Sequence, residues 1–199
     1  QRAQAFDNEE SVLRYGRDIN GGEVGCTLSH YKCYNEIAGS KDEFVLILED
    51  DISIVGDFNL VNSEEVRMLM SDKKPKILFL SGDYWFWQNK PITSVFDAVG
   101  SYAYMINSAA ASLILKKVNK PSNVADDWRF FHSLGIKLYA IHPYIVDANI
   151  EDIPSEINQN HWGNIKSRMS KANILYSYYN GVIKKLLIKV GHFQSKIRK

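Results

Sequence analysis

Residues 44–54, FVLILEDDISI, run from five apolar side chains straight into Glu49, Asp50 and Asp51. Phe44–Leu48 reads as a buried strand that delivers three carboxylates to one point. Like charges this close repel and raise one another's pKa unless something positive sits among them. A divalent cation held by hard oxygen ligands satisfies that condition. A bare acidic triplet, however, is also what a solvated loop looks like.

Upstream, NGGEVGCTLSHYKCYNEIAGS (residues 20–40) reads as a turn at Gly21 and Gly22 followed by a helix, with Val24, Leu28, Tyr31 and Ile37 on one stripe. Downstream, NSEEVRMLMSD is a short helix that Asn62 or Ser63 would cap. PKILFLSGDYW is a second buried strand ending at Gly82 and Asp83. VGSYAYMINSAAASLILKKV reads as a strand, a turn at Asn107 and Ser108, and an Ala/Leu helix. ADDWRFFHSLG is a helix opening on Asp126 and Asp127 and closing at Gly135, followed by the strand IKLYAIHP. This alternation predicts an α/β domain with a mostly parallel central sheet. Ligands of such sheets bind beyond the C-terminal strand ends, where the next helices begin. The acidic points Glu49–Asp51, Asp83 and Asp126–Asp127, together with the turn Gly22-Glu23, are expected on that one rim.

The 199 residues carry a net charge of +1, which decides little, but the charge is unevenly placed. Residues 1–156 hold 15 Lys and Arg against 23 Asp and Glu; residues 157–199 hold 9 basic residues and no acid. A basic tail on an acidic body faces an anionic surface, or it is simply a solvated helix. The tail places Leu175, Tyr179, Val182, Leu186 and Val190 at helical spacing, with Lys184, Lys185 and Lys189 between them. That stripe suits an interfacial helix on a membrane, or an ordinary terminal helix packed on the domain. Cys26 and Cys33 are the only cysteines. On one helix they stand roughly 10 Å apart, too far for a disulfide. Buried thiols in a reducing compartment follow, and no apolar run reaches the roughly 20 residues needed to span a bilayer.

Four aromatics, Tyr84, Trp85, Phe86 and Trp87, follow the second strand. Neighbours on a regular strand alternate sides, so all four do not face one core. Stacking on sugar rings, with Asp83 on a hydroxyl, is one reading; a loop packed inward is the other. Asp126 and Asp127 either do chemistry or cap the helix that they precede.

GGEVGCTLSHYKCY, VLILEDDI, VGSYAYMINSAAASLIL and ADDWRFF, in that order over roughly residues 20–160, together resemble glycosyltransferase family 25. That family includes bacterial transferases of lipooligosaccharide and LPS biosynthesis, many of them β-1,4-galactosyltransferases. The resemblance implies a Rossmann-like GT-A fold over residues 1–160, a basic helical tail over 161–199, and an inverting transfer from UDP-galactose. Mn²⁺ or Mg²⁺ would bridge the diphosphate, with Asp51 and Glu49 in the places of an Asp-x-Asp motif. Glu49 would turn toward ribose or a metal-bound water, and Asp50 could point either way. Gly22, Glu23, Gly100 and Ser101 would line the donor, although a plain core strand also explains the small residues near Gly100. Asp127 would be the base and Asp126 an orienting group. The third metal ligand is expected at His161, in NQNHWGN, ahead of His142. Asp83, Tyr84, Trp85 and Trp87 would hold an oligosaccharide or lipid-linked acceptor. The protein would sit in the cytoplasm, at the inner face of the bacterial membrane, and no nucleic-acid partner is expected. Family members usually open with a strand and a basic helix for the nucleotide, and neither reads before Asn20, so that part is expected to be incomplete. The rival classes are a metal-dependent phosphoesterase and a non-catalytic carbohydrate-binding descendant.

Overall fold

A computed structural model of the protein describes residues 5–148 and 168–195. Helix α1 (Asn8–Tyr15) starts where Asp7 accepts from the Glu10 N–H, and it ends at Gly16. Helix α2 (Gly21–Gly39) begins two glycines earlier than expected. Asn20 and Glu23 form a reciprocal capping box that pulls Gly21 and Gly22 into the first helical turn. Two strands follow, β1 (Phe44–Leu48) and β2 (Ile52–Ile54), then a 3₁₀ turn (Phe58–Asn62). Helix α3 (Glu64–Met70) is capped by Ser63, whose hydroxyl accepts from the Val66 N–H.

The remaining elements are β3 (Lys76–Phe79), β4 (Asp83–Phe86), β5 (Ile92–Val99), β6 (Ala103–Asn107), α4 (Ser108–Lys117), α5 (Trp128–Ser133), β7 (Lys137–Ile141) and β8 (Val146–Ala148). Beyond them come α6 (Lys171–Lys189) and β9 (Phe193–Gln194). Seven strands form one sheet in the order β1-β6-β3-β7-β5-β4-β9, and β2 pairs with β8 separately.

The expected mostly parallel sheet is not what forms. Only β3 and β7 run parallel; the other five neighbouring pairs in the sheet are antiparallel. The stretch read as one strand, VGSYAYMIN, is the end of β5, a turn at Gly100–Tyr102, and then β6. Strand β5, which the sequence pattern does not mark, makes an antiparallel hairpin with β4. Helix–strand alternation specifies the order of elements but says nothing of strand direction once such hairpins intervene. Gly100 makes the β5–β6 turn with φ +87°, and a Cβ there would come within 2.2 Å of the Tyr102 ring. Its small size serves this turn, whatever else passes nearby.

Helices cover both faces of the sheet. On β3, Ile77 and Phe79 enter a core with Tyr34, Tyr104, Trp128 and Phe131, while Leu78 and Leu80 enter a second core with Val66, Met70 and Met105. Strand β3 is therefore buried on both sides, as its unbroken apolar run predicts. Strand β1 lies at the sheet edge instead, with only Ile47 buried and Leu48 44 % exposed. That edge placement leaves Leu48 and Asp50 facing solvent, with Glu49 and Asp51 partly covered.

The C-terminal segment is woven into the body. Strand β9 extends the sheet beside β4, Lys184 pairs with the buried Asp97 at 2.5 Å, and the Tyr176 hydroxyl donates to the Arg129 carbonyl. The expected apolar stripe of α6 does not pack inward. Leu175, Tyr178, Tyr179, Val182, Leu186 and Val190 are 40–72 % exposed, and Leu187 is the one buried residue of the helix.

Candidate active site

Five chain segments meet beyond the end of β1: the first turns of α2, the acidic run 49–51, the start of β4, the turn 100–102 and the start of α5. The backbone explains the meeting. The Glu49 N–H donates to the Tyr102 carbonyl at 2.8 Å, which extends the β1–β6 pairing by one step and brings the acids against the glycine turn. The Gly100 N–H donates to Asp126 Oδ2 at 3.1 Å, and the Trp128 indole N–H donates to the Gly100 carbonyl at 3.0 Å. Both ends of one peptide turn thus anchor the entry to α5.

The three acids separate by role. Asp50 is exposed. Glu49 is half-buried; its Oε1 accepts from the Ser101 hydroxyl at 2.5 Å and lies 3.4 Å from His30 Nε2. Burial opposes ionisation of Glu49, but those two partners outweigh it and hold the carboxyl below its usual range. Behind it runs a chain of buried hydroxyls, with Tyr104 Oη 2.7 Å from His30 Nδ1 and 2.9 Å from Tyr34 Oη. Asp51 carries a buried Oδ1 with no hydrogen-bond partner.

An orphaned carboxylate oxygen is costly, and its neighbours deepen the deficit of positive charge. The Tyr102 hydroxyl is pushed up to about 12, by burial first and then by Asp126, Glu49, Asp51 and Asp83 around it. The Cys26 thiol is pushed up to about 11, again by burial first and then chiefly by Glu49. A buried, unsatisfied carboxylate oxygen with other acids nearby is one that a hard cation such as Mn²⁺ or Mg²⁺ would satisfy.

Asp126 and Asp127 are not equivalent. Asp127 is spent on structure: Oδ1 accepts from the Phe130 N–H at 3.0 Å as the cap of α5, and Oδ2 accepts from the Tyr15 hydroxyl at 2.6 Å. Burial and Asp127 together push that phenol far up, so it remains a donor. Tyr15 also accepts from the Val124 N–H, which clamps α1 onto the entry to α5. Burial pushes the Asp126 carboxyl above its usual range, and the neighbouring Asp127 and Glu23 add to this. Asp126 therefore has the perturbed chemistry, whereas Asp127 has the fixed structural duties.

Glu23 closes the capping box of α2 and takes a two-pronged pairing from Arg17, at 2.7 and 2.5 Å. Arg17 lies in the polar N-terminal stretch, where no periodic pattern marks it. Gly22 sits in the first turn of α2 rather than in a preceding loop. The aromatic run splits as a strand should: Tyr84 and Phe86 are buried, and Trp85 faces the other way. The Tyr84 hydroxyl donates to the Ile141 carbonyl at 3.0 Å, so this ring belongs to the core and not to an acceptor surface. Trp85 stacks on Phe193 and lies under Lys184, and Asp83 opens β4 on the carboxylate rim. Trp87, 47 % exposed with its ring edge-on to Phe96, is the one of the three that offers an open face. His142 is 3.0 Å from the Tyr84 hydroxyl, and His161 lies outside the described residues.

No helix among the described residues is long and apolar enough to cross a membrane. No curated protein matches the chain. Residues 2–95 match the model of glycosyltransferase family 25, described as LPS biosynthesis protein. The match takes in α2, the Glu49–Asp51 run and β4, while Gly100, Asp126 and Asp127 lie beyond it. Over residues 2–95, a little under half of its length, the chain is thus similar to glycosyltransferase family 25.

Proposed function

We propose that the chain is an inverting hexosyltransferase that moves galactose from UDP-galactose to a saccharide acceptor of lipooligosaccharide, LPS or a related surface glycan. One observation carries the reading: Asp51 Oδ1 is buried and unpaired, and Asp51 is one of four acids, with Glu49, Asp83 and Asp126, whose charges all act on Tyr102. Asp51 and Glu49 would hold Mn²⁺ or Mg²⁺, which when bound offsets the negative charge of the donor diphosphate and of the leaving nucleotide. The protein's own groups do the rest. Glu49, fixed by His30 and Ser101, orients the donor ribose. Asp126 takes the proton from the acceptor hydroxyl as that oxygen attacks the anomeric carbon. Asp127 keeps Asp126 in place through the α5 cap and Tyr15, a change from the assignment its sequence position suggests. Trp87 supplies a face for the acceptor ring.

The family match favours this reading over a phosphoesterase built on the same carboxylates. Incubating the chain with UDP-galactose and Mn²⁺, and following free UDP, decides between them. We expect release that a saccharide acceptor accelerates. Release indifferent to acceptor would indicate a hydrolase, and no release with any UDP-sugar would indicate a binding protein.

The acceptor side of the proposal includes the membrane. Helix α6 exposes Leu175, Tyr178, Tyr179, Val182 and Leu186, with Lys171, Lys185 and Lys189 nearby in the same helix, a composition suited to an anionic lipid surface that carries the acceptor. Because β9 completes the sheet, point changes test this better than truncation. Leu175→Ser with Tyr178→Ser and Leu186→Ser should abolish co-sedimentation with phosphatidylglycerol-containing vesicles at low salt, with the melting temperature held. Unchanged sedimentation would remove the membrane from the account.

A further inference from the structure

Cys26 and His30 stand one helical turn apart on α2, so their side chains share a face. Glu49 comes to that face from the far end of β1. One ligand atom from each, the Cys26 sulfur, a His30 ring nitrogen and a Glu49 oxygen, all lie within 4.8 Å of one another. We infer that Cys26, His30 and Glu49 form a second metal site, selective for zinc, which shares Glu49 with the oxygen-only site at Asp51 but differs from it in ligand chemistry.

The ligand set decides the ion. A thiolate and an imidazole are poor partners for Mn²⁺ or Mg²⁺ and good ones for Zn²⁺. Three protein ligands leave the fourth tetrahedral position for water or a substrate oxygen. The surroundings are already those of a metal-binding histidine. His30 is 5 % exposed, and its other nitrogen, Nδ1, is 2.7 Å from Tyr104 Oη, which continues to Tyr34. When an ion binds, the ring proton would sit on Nδ1, donated into that hydroxyl chain, and the Nε2 lone pair would turn to the metal in place of the Nε2–H···Glu49 contact. Ser101 hydrogen-bonds both Glu49 and the Cys26 thiol, which aligns the two outer ligands. Cys26 is partly exposed and Glu49 half-buried, so an ion has a way in. On binding, the S–H bond breaks: its proton leaves to solvent, and the sulfur electron pair goes to the cation.

Glu49 gives this site a consequence for transfer, and that part alone rests on the transferase reading. A zinc ion on Glu49 withdraws it from the donor ribose. Zinc occupancy and productive donor binding are then mutually exclusive.

Cobalt(II) reports on the site without any activity measurement, because a thiolate ligand gives an intense near-ultraviolet charge-transfer band. Titrating the metal-free chain with Co²⁺ should develop that band at one equivalent, and Zn²⁺ should then bleach it. Cys26→Ser should lose the band. Cys33→Ser, two turns further along the same helix, should keep it. Glu49→Gln should weaken Co²⁺ binding by at least about tenfold, the lower end of what losing even an outer partner costs. Asp51→Asn should leave the band intact, which separates this site from the Mn²⁺ site. A band that survives Cys26→Ser, no band at saturating Co²⁺, or unchanged affinity in Glu49→Gln would each overturn the assignment.

Discussion

Asp126→Asn is expected to slow sugar transfer by about 10²–10⁴, the range for removing a general base, while the protein becomes no less stable. The amide keeps an oxygen for the Gly100 N–H but accepts no proton from an attacking hydroxyl. The stability half follows from the sign of the shift. Burial raises the folded-state pKa of Asp126 above its unfolded value, so the folded state prefers the protonated acid. Its contribution to stability is complete below the unfolded pKa and is lost as pH rises through the folded one. At neutral pH the charged form is a burden that the amide relieves. The melting temperature should hold or rise near neutrality, and the difference should vanish in acid. In the wild type, activity should fall as pH drops through that raised value. Asp127→Ala should show the opposite pattern. It gives up the α5 cap and the Tyr15 clamp, costing about 1–2 kcal/mol for the cap alone, and it lowers the rate mainly by loosening Asp126. An Asp126→Asn protein that transfers at the wild-type rate, with Asp127→Asn inactive yet fully stable, would reverse the two roles.

Asp51→Asn should cost at least roughly 10³ in transfer, since a cation ligand carries several kcal/mol of charge stabilisation. Folding should not suffer. The residue removed is a buried, unpaired carboxylate beside other acids, and neutralising it relieves repulsion in the metal-free state. Calorimetry gives a second reading: in the wild type, Mn²⁺ and UDP should each tighten the other's binding by the same factor, as reciprocal linkage requires. In Asp51→Asn that coupling should disappear while UDP alone still binds. Full turnover at saturating Mn²⁺ would remove Asp51 from the cation site.

The rim of acids was legible before the fold was. Glu49, Asp51, Asp83 and Asp126 each follow an apolar run or precede a helical one, and such junctions collect at one end of an α/β sheet. Strand direction was not legible. ITSVFDAV mixes Thr, Ser and Asp into apolar positions because β5 is buried over most of its length and Asp97 is paired by Lys184 from a helix almost 90 residues away. No local pattern encodes such a partner. The structural tie of Asp127 was hidden for a similar reason. It depends on Tyr15, which meets Asp127 only through the tertiary fold. Arg17 escaped notice because a two-pronged pairing with Glu23 follows no helical or strand period. The stripe on α6 was read correctly as a helix, but period alone does not say whether a stripe packs inward or stays in solvent.

The β4–β9 pairing bears on how the chain acquires its shape during synthesis. Tyr84 is opposite Gln194, and Trp85 is opposite Phe193. A ribosome therefore makes β4 and its hairpin long before the neighbour on that edge exists. Until Phe193 and Gln194 emerge, β4 presents an unpaired ladder with Trp85 uncovered, which is a template for another nascent chain. The clamp between Tyr15 and Asp127 likewise closes a loop of more than 100 residues. Contacts so distant along the chain make for slow maturation, with the carboxylate rim among the last parts to settle.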